Sequence, residues 1–128
     1  MSVSQIRTVA PLSADPCRLS LAEAAAAIRS RAMSSVELTE ACLARIATWQ
    51  PITNAFIAIE AERALETAAK ADADLASGKS VGPLHGVPLA HKDMYYRAGR
   101  VTSCGSKVQG TFVPAVTSTA LVRLDQAG

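Results

Sequence analysis

Aromatic side chains make up only 4% of the 128 residues. The large aliphatics are scarce as well: 25 of the 63 apolar residues are alanine, and Leu, Ile, Val and Phe together number 29. That content clears the disorder signature but is lean for an independent core. Alanine-rich helices present small faces and pack closely against something larger. No apolar run approaches the ~20 residues of a membrane span, and no secretory signal is legible in residues 1–16. Charge is nearly balanced, with 13 Lys and Arg against 11 Asp and Glu, a net +2. No basic cluster is interleaved with aromatics, so a direct nucleic-acid surface is not expected. The three cysteines, Cys17, Cys42 and Cys104, are odd in number and widely spaced. They suit neither a disulfide framework nor a zinc site and suggest a reducing compartment, the cytoplasm by default. The two histidines, His85 and His91, stand six apart across a Gly-Val-Pro turn, and no Asp, Glu or Cys completes a metal site with them.

What is present is mostly helix. Residues 1–19 lack periodicity and read as an N-terminal arm; residues 20–128 read as part of one domain. Ser20 caps a short helix over 21–31. Ser34 and Glu37 form a capping box for a helix that Pro51 stops at about Gln50, with Leu38, Cys42, Ile46 and Trp49 on one stripe and Leu43 beside it. Residues 55–59 are short, apolar and partly β-branched, a predicted strand. Residues 60–77 form the clearest helix, burying Ala64, Leu65, Ala68, Ala71 and Leu75, and Gly78 ends it. A second strand is predicted over 87–91, a loop over 93–116, and a last helix from Thr117 or Ser118 that buries Leu121 and Leu124. This order predicts an α/β fold. The last helix should feed a further strand, which the chain does not contain, so an incomplete α/β unit is expected.

Two phosphate-loop lookalikes fail. Gly78-Lys79-Ser80 follows a helix and has Ala73 where the motif needs glycine, and the Gly105 to Gly110 spacing is followed by Thr111-Phe112. Cys104 with His91 could form a thiolate pair, but a lone cysteine is more often inert, and nothing nearby visibly lowers its pKa. Lys92 differs from ordinary surface lysines. It ends the predicted 87–91 strand, where burial would disfavour its ammonium and make a neutral amine available as a general base. Its neighbour Asp93 would oppose that shift if its carboxylate faced the ammonium, but successive strand side chains point to opposite faces. Lys92 is therefore expected to be substantially buried.

The run Gly82-Pro-Leu-His-Gly-Val-Pro-Leu-Ala-His-Lys-Asp, then Thr102-Ser-Cys-Gly-Ser, Phe112-Val-Pro and the helix over 121–128, resembles the amidase signature family. Upstream, Glu37-Leu-Thr-Glu-Ala-Cys-Leu-Ala-Arg-Ile and Asn54-Ala-Phe-Ile are similar to that family's N-terminal helices and first strand, so the resemblance covers about residues 20–128. It implies the N-terminal portion of a fold in which helices pack on a mixed sheet. It also implies hydrolysis of a carboxylic amide through a serine acyl-enzyme, with no metal or organic cofactor. The family's lysine after Gly-Val/Ile-Pro is the base of a Ser–cis-Ser–Lys triad, and that lysine is Lys92 here. Met94, Ser103, Cys104, Gly105 and Ser106 are the substrate-binding candidates; the family often has Asn where this chain has Met94. Both catalytic serines of the family lie in a Gly/Ser-rich segment expected beyond position 128, so the chain alone should not turn over. The partner implied is a small-molecule amide, and a homodimer of the full-length protein is compatible. One alternative is the amidase component of a tRNA-dependent amidotransferase, the only reading in which tRNA enters. From a different class comes a small non-catalytic α/β module that binds a partner through its alanine-rich helices.

Overall fold

Short-range capping sets where the first two helices begin. In the computed structural model, which describes residues 15–79 and 81–128, a 3₁₀ turn at Pro16–Arg18 precedes α1 (Leu21–Arg29). α2 follows as Ser35–Thr53, α3 as Ala61–Ala76 and α4 as Thr119–Ala127. The part of the predicted arm over 1–14 lies outside the described residues, as does Ser80 of the lookalike loop. Ser20 and Glu23 form one capping box and Ser34 and Glu37 another: each serine hydroxyl accepts from the glutamate N–H, and each glutamate accepts from the serine N–H at 2.8 and 2.7 Å. α3 ends in a Schellman motif, in which the Gly78 N–H donates to the Leu75 carbonyl and the Lys79 N–H to that of Asp74, with Gly78 at φ +76°.

The α/β expectation is corrected here: the described residues hold four α-helices and no strand, so there is no mixed sheet among them. A strand exists only through a partner that takes its backbone hydrogen bonds, and neither predicted segment meets one. At Phe56 both backbone groups are taken by a side chain: Gln50 Nε2 donates to the Phe56 carbonyl at 2.7 Å and Gln50 Oε1 accepts its N–H at 3.0 Å. In the 87–91 segment, the Val87 N–H turns back to the Leu84 carbonyl and Pro88 has no N–H to offer.

Pro51 does not stop α2, which continues to Thr53. Proline removes the bond to the Ala47 carbonyl, but Ala47 is exposed and water can serve that group. The helix ends at Asn54, left-handed at φ +47°, a conformation asparagine tolerates.

The core is small. Ala24 and Ile28 from α1 meet Leu38 from α2, with Leu19, Met33, Cys42, Leu75 and Val87 packed around them. The α3 stripe is as expected, Ala68 and Ala71 being buried and Ala64, Leu65 and Leu75 half-buried. Two stripe positions do not hold: Trp49 is 54% exposed, and Leu124 is 39% exposed while Leu121 is buried.

Candidate functional site

The loop carrying Gly82-Pro-Leu-His-Gly is tied to all four helices. From α1, Arg29 Nη2 donates to the Pro83 carbonyl at 3.0 Å. From α2, the buried Ser35 hydroxyl donates to the Gly86 carbonyl at 2.5 Å. On α3, the Ala71 carbonyl accepts from His85 Nε2 at 2.8 Å, which puts the ring proton on that nitrogen. At the end of α4, the Ala127 carbonyl accepts the Leu84 N–H at 2.9 Å. Both glycines are required. A Cβ on Gly82 would lie 2.1 Å from the Ala127 oxygen, and Gly86 sits at φ +75° with Ser35 3.0 Å from where its Cβ would be. Ser35 is itself set by Asp72 of α3, whose carboxylate accepts the Ser35 and Val36 N–H groups at 2.7 and 3.1 Å, capping α2 from a neighbouring helix.

From this anchored loop the chain runs to Lys92 and turns, the Tyr95 N–H donating to the Lys92 carbonyl at 3.1 Å. Lys92 is exposed, follows no strand and makes no ion pair among the described residues. The expected burial is thus corrected: without a sheet around it, the 87–91 segment cannot withdraw the ammonium from water.

The ordered element beside Lys92 is Asp93. Its carboxylate accepts the Ser103 N–H through both oxygens at 3.2 Å and the Ser103 hydroxyl at 2.6 Å, and its carbonyl accepts the Cys104 N–H at 3.0 Å. The Ser103 hydroxyl in turn accepts the Gly105 N–H at 3.1 Å. The Ser103 hydroxyl leads these bonds in holding the Asp93 carboxyl below the usual carboxylate range. Cys104 and Gly105 both lie at positive φ, +53° and +71°, so the segment folds as a tight turn on the aspartate. Buried Thr102 fixes its other end, its N–H donating to the Phe112 carbonyl at 2.9 Å. Arg97 holds Asp125 of α4 in a two-bond fork at 2.9 and 3.0 Å.

Of the sequence candidates, Ser103, Cys104 and Gly105 are gathered beside Lys92 through Asp93. Met94 and Cys104 are exposed, and Ser106 is half-buried, its hydroxyl accepting the Val108 N–H at 3.2 Å. His91 and Cys104 are not joined by a hydrogen bond among the described residues; His91 Nδ1 meets the Lys92 carbonyl at 3.2 Å instead. Sequence reasoning missed Asp93 as an organiser. The available signal was an aspartate ten residues before a Ser-Cys-Gly turn, a residue type suited to capping such turns. The site thus offers an amine on a fixed turn and, among the described residues, no nucleophile hydrogen-bonded to it.

Comparison with known proteins covers most of the chain. It is 47% identical over 109 residues to the A subunit of the glutamyl-tRNA(Gln) amidotransferase of Marinomonas sp. (strain MWYL1), and 48% identical over 111 residues to the protein of the same description in Azotobacter vinelandii. These alignments cover 85% and 87% of this chain but 22% and 23% of the relatives, so the chain spans less than a quarter of their length. Among solved structures, one described as "Fatty acid amide hydrolase" superposes with a TM-score of 0.82 at 26% identity, covering 91% of this chain and 21% of that one. Another, described as an unexpected vestigial protein complex that reveals the origins of an s-triazine catabolic enzyme, superposes at 0.79 with 32% identity, covering 86% and 24%. The pattern described as Amidase matches residues 37–128, which takes in most of α2, the four-way anchored loop, Lys92 and the Asp93-held turn, and so the chain belongs to the amidase family.

Proposed function

We propose that this chain supplies the base of an amide-hydrolysing enzyme. Lys92 takes a proton from a bridging cis-serine, which activates a nucleophilic serine; the acyl-enzyme that follows is released by water as a carboxylic acid. Ammonia or an amine is the first product. The observation that carries this reading is the family match over 37–128, in which Lys92-Asp93 stands after Gly86-Val87-Pro88. A lysine base at neutral pH must be shielded from water. Because Lys92 is open in this chain, the surfaces that shield it belong to the rest of the active site. Asp93 and the 103–106 turn, with Met94, form one wall of the substrate pocket. The cytoplasm is the compartment we assign.

A second reading has a specific observation behind it: the relatives at 47% and 48% identity are described as one component of a glutamyl-tRNA(Gln) amidotransferase. Here the amide is glutamine, the ammonia passes to a glutamyl-tRNA, and the working partners are the other components of that enzyme and the tRNA.

In the enzyme of full family length, Lys92→Ala should lower turnover by about 10²–10⁴-fold, the contribution typical of a general base, with far-UV circular dichroism unchanged. An active Lys92→Ala enzyme would refute the base assignment. Assaying the parent for ammonia release from simple amides, against amidation of glutamyl-tRNA with the partner proteins present, separates the two readings.

A further inference from the structure

One carboxylate moors the Pro16–Arg18 turn to α2. Asp15 accepts the Cys17 N–H through Oδ1 at 3.0 Å and Arg45 Nη2 through Oδ2 at 2.5 Å. Arg45 stands three residues after Cys42, on the same face of the helix. The group that holds the Cys17 backbone therefore also holds the next turn of α2 beyond Cys42. The two thiols are free and half-buried, and Cys17 lies close enough to Cys42 to be one of the groups that raise its thiol pKa. We propose that Cys17 and Cys42 are a redox pair that closes to a disulfide between the N-terminal turn and α2 when a low-molecular-weight disulfide is present. Nothing in this proposal depends on the amidase chemistry above.

The chemistry balances with glutathione disulfide as the oxidant. The Cys17 thiolate attacks one glutathione sulfur, forming a mixed disulfide and expelling one glutathione thiolate. The Cys42 thiolate then attacks the Cys17 sulfur, forming the protein disulfide and expelling the second. Two protein thiols are oxidised and one glutathione disulfide is reduced to two thiols, which take up the two protons that the protein thiols gave up. Burial pushes the Cys42 thiol up to about 11; Cys17 and Asp15 add to the rise and Arg45 opposes it. Cys42 is thus the reluctant second nucleophile, so closure is slow at neutral pH and quickens as pH rises. Cys104, exposed on the far turn, has no cysteine partner among the described residues.

The test uses the protein at its full family length, equilibrated in glutathione redox buffers, with the Cys17 and Cys42 thiols followed by alkylation and peptide mass mapping. The expected result is loss of both thiols with no glutathione retained. The pair's effective concentration should be at least about tenfold higher in buffer than in concentrated guanidinium chloride, because the fold brings the two sulfurs together. Glutathione remaining attached to either cysteine, or an effective concentration no higher in buffer than in denaturant, would overturn the proposal.

Discussion

Asp93 shows how much order one side chain supplies where no secondary structure exists. Its carboxylate and carbonyl take the Ser103 and Cys104 N–H groups and the Ser103 hydroxyl, so the turn beside Lys92 is fixed by a charged acceptor. Because these bonds hold the Asp93 carboxyl below its ordinary value, they stabilise the turn at any pH above the unfolded-state value. That contribution is lost as pH falls through the lower folded value. An NMR titration should therefore find the Asp93 midpoint below the ordinary ~3.9, with the Ser103 amide shifting in step. A midpoint at or above the ordinary value would mean the clamp does not form. Lys92 stood out in the sequence because it follows a Gly-Val-Pro turn, but its exposure was not legible, since the strand expected to bury it has no sheet to join. The Asp93–Ser103 clamp was not legible either, since it closes across ten residues with no periodic signal.

Helix starts were the most legible elements, because a capping box spans four residues and needs no tertiary partner. Both predicted strands failed for the complementary reason: apolar, β-branched composition describes a surface that fits a sheet and cannot supply the sheet. The second serine at the α2 start was opaque as well. Ser34 caps locally, whereas Ser35 is buried, receives its order from Asp72 and passes it to Gly86. Removing that cap with Asp72→Ala should cost the α2 start about 1–2 kcal/mol, seen as about 5–30-fold faster exchange of the Ser35 and Val36 amides. Gly86→Ala should add strain of about 1–3 kcal/mol at its positive φ and expose the Leu84 amide to exchange. Unchanged exchange in both variants would mean that the anchored loop is not held as described.

For the whole molecule the balance is poor. Of the eight buried apolar side chains among the described residues, five are alanines and three, Ile28, Leu38 and Leu121, are large, while Ile52, Ile57 and Val108 stand 70–94% exposed. Chain entropy of roughly 1–2 kcal/mol per residue is hard to offset with so little burial. The 128-residue chain should bind ANS, give weak near-UV circular dichroism and melt without cooperativity. A sharp two-state transition above about 55 °C, inside the mesophile range, would instead favour the independent binding module. The alanine count announced this scarcity, but composition could not say that one loop would join every helix. That loop also orders events in time. Its bond to the Ala127 carbonyl waits until that residue has left the ribosome, although Arg29, Ser35 and Ala71 are made far earlier. The loop's ties to the first three helices can form as soon as the loop emerges, whereas the contact that completes its anchorage spans more than forty residues of chain, a late and non-local step in folding.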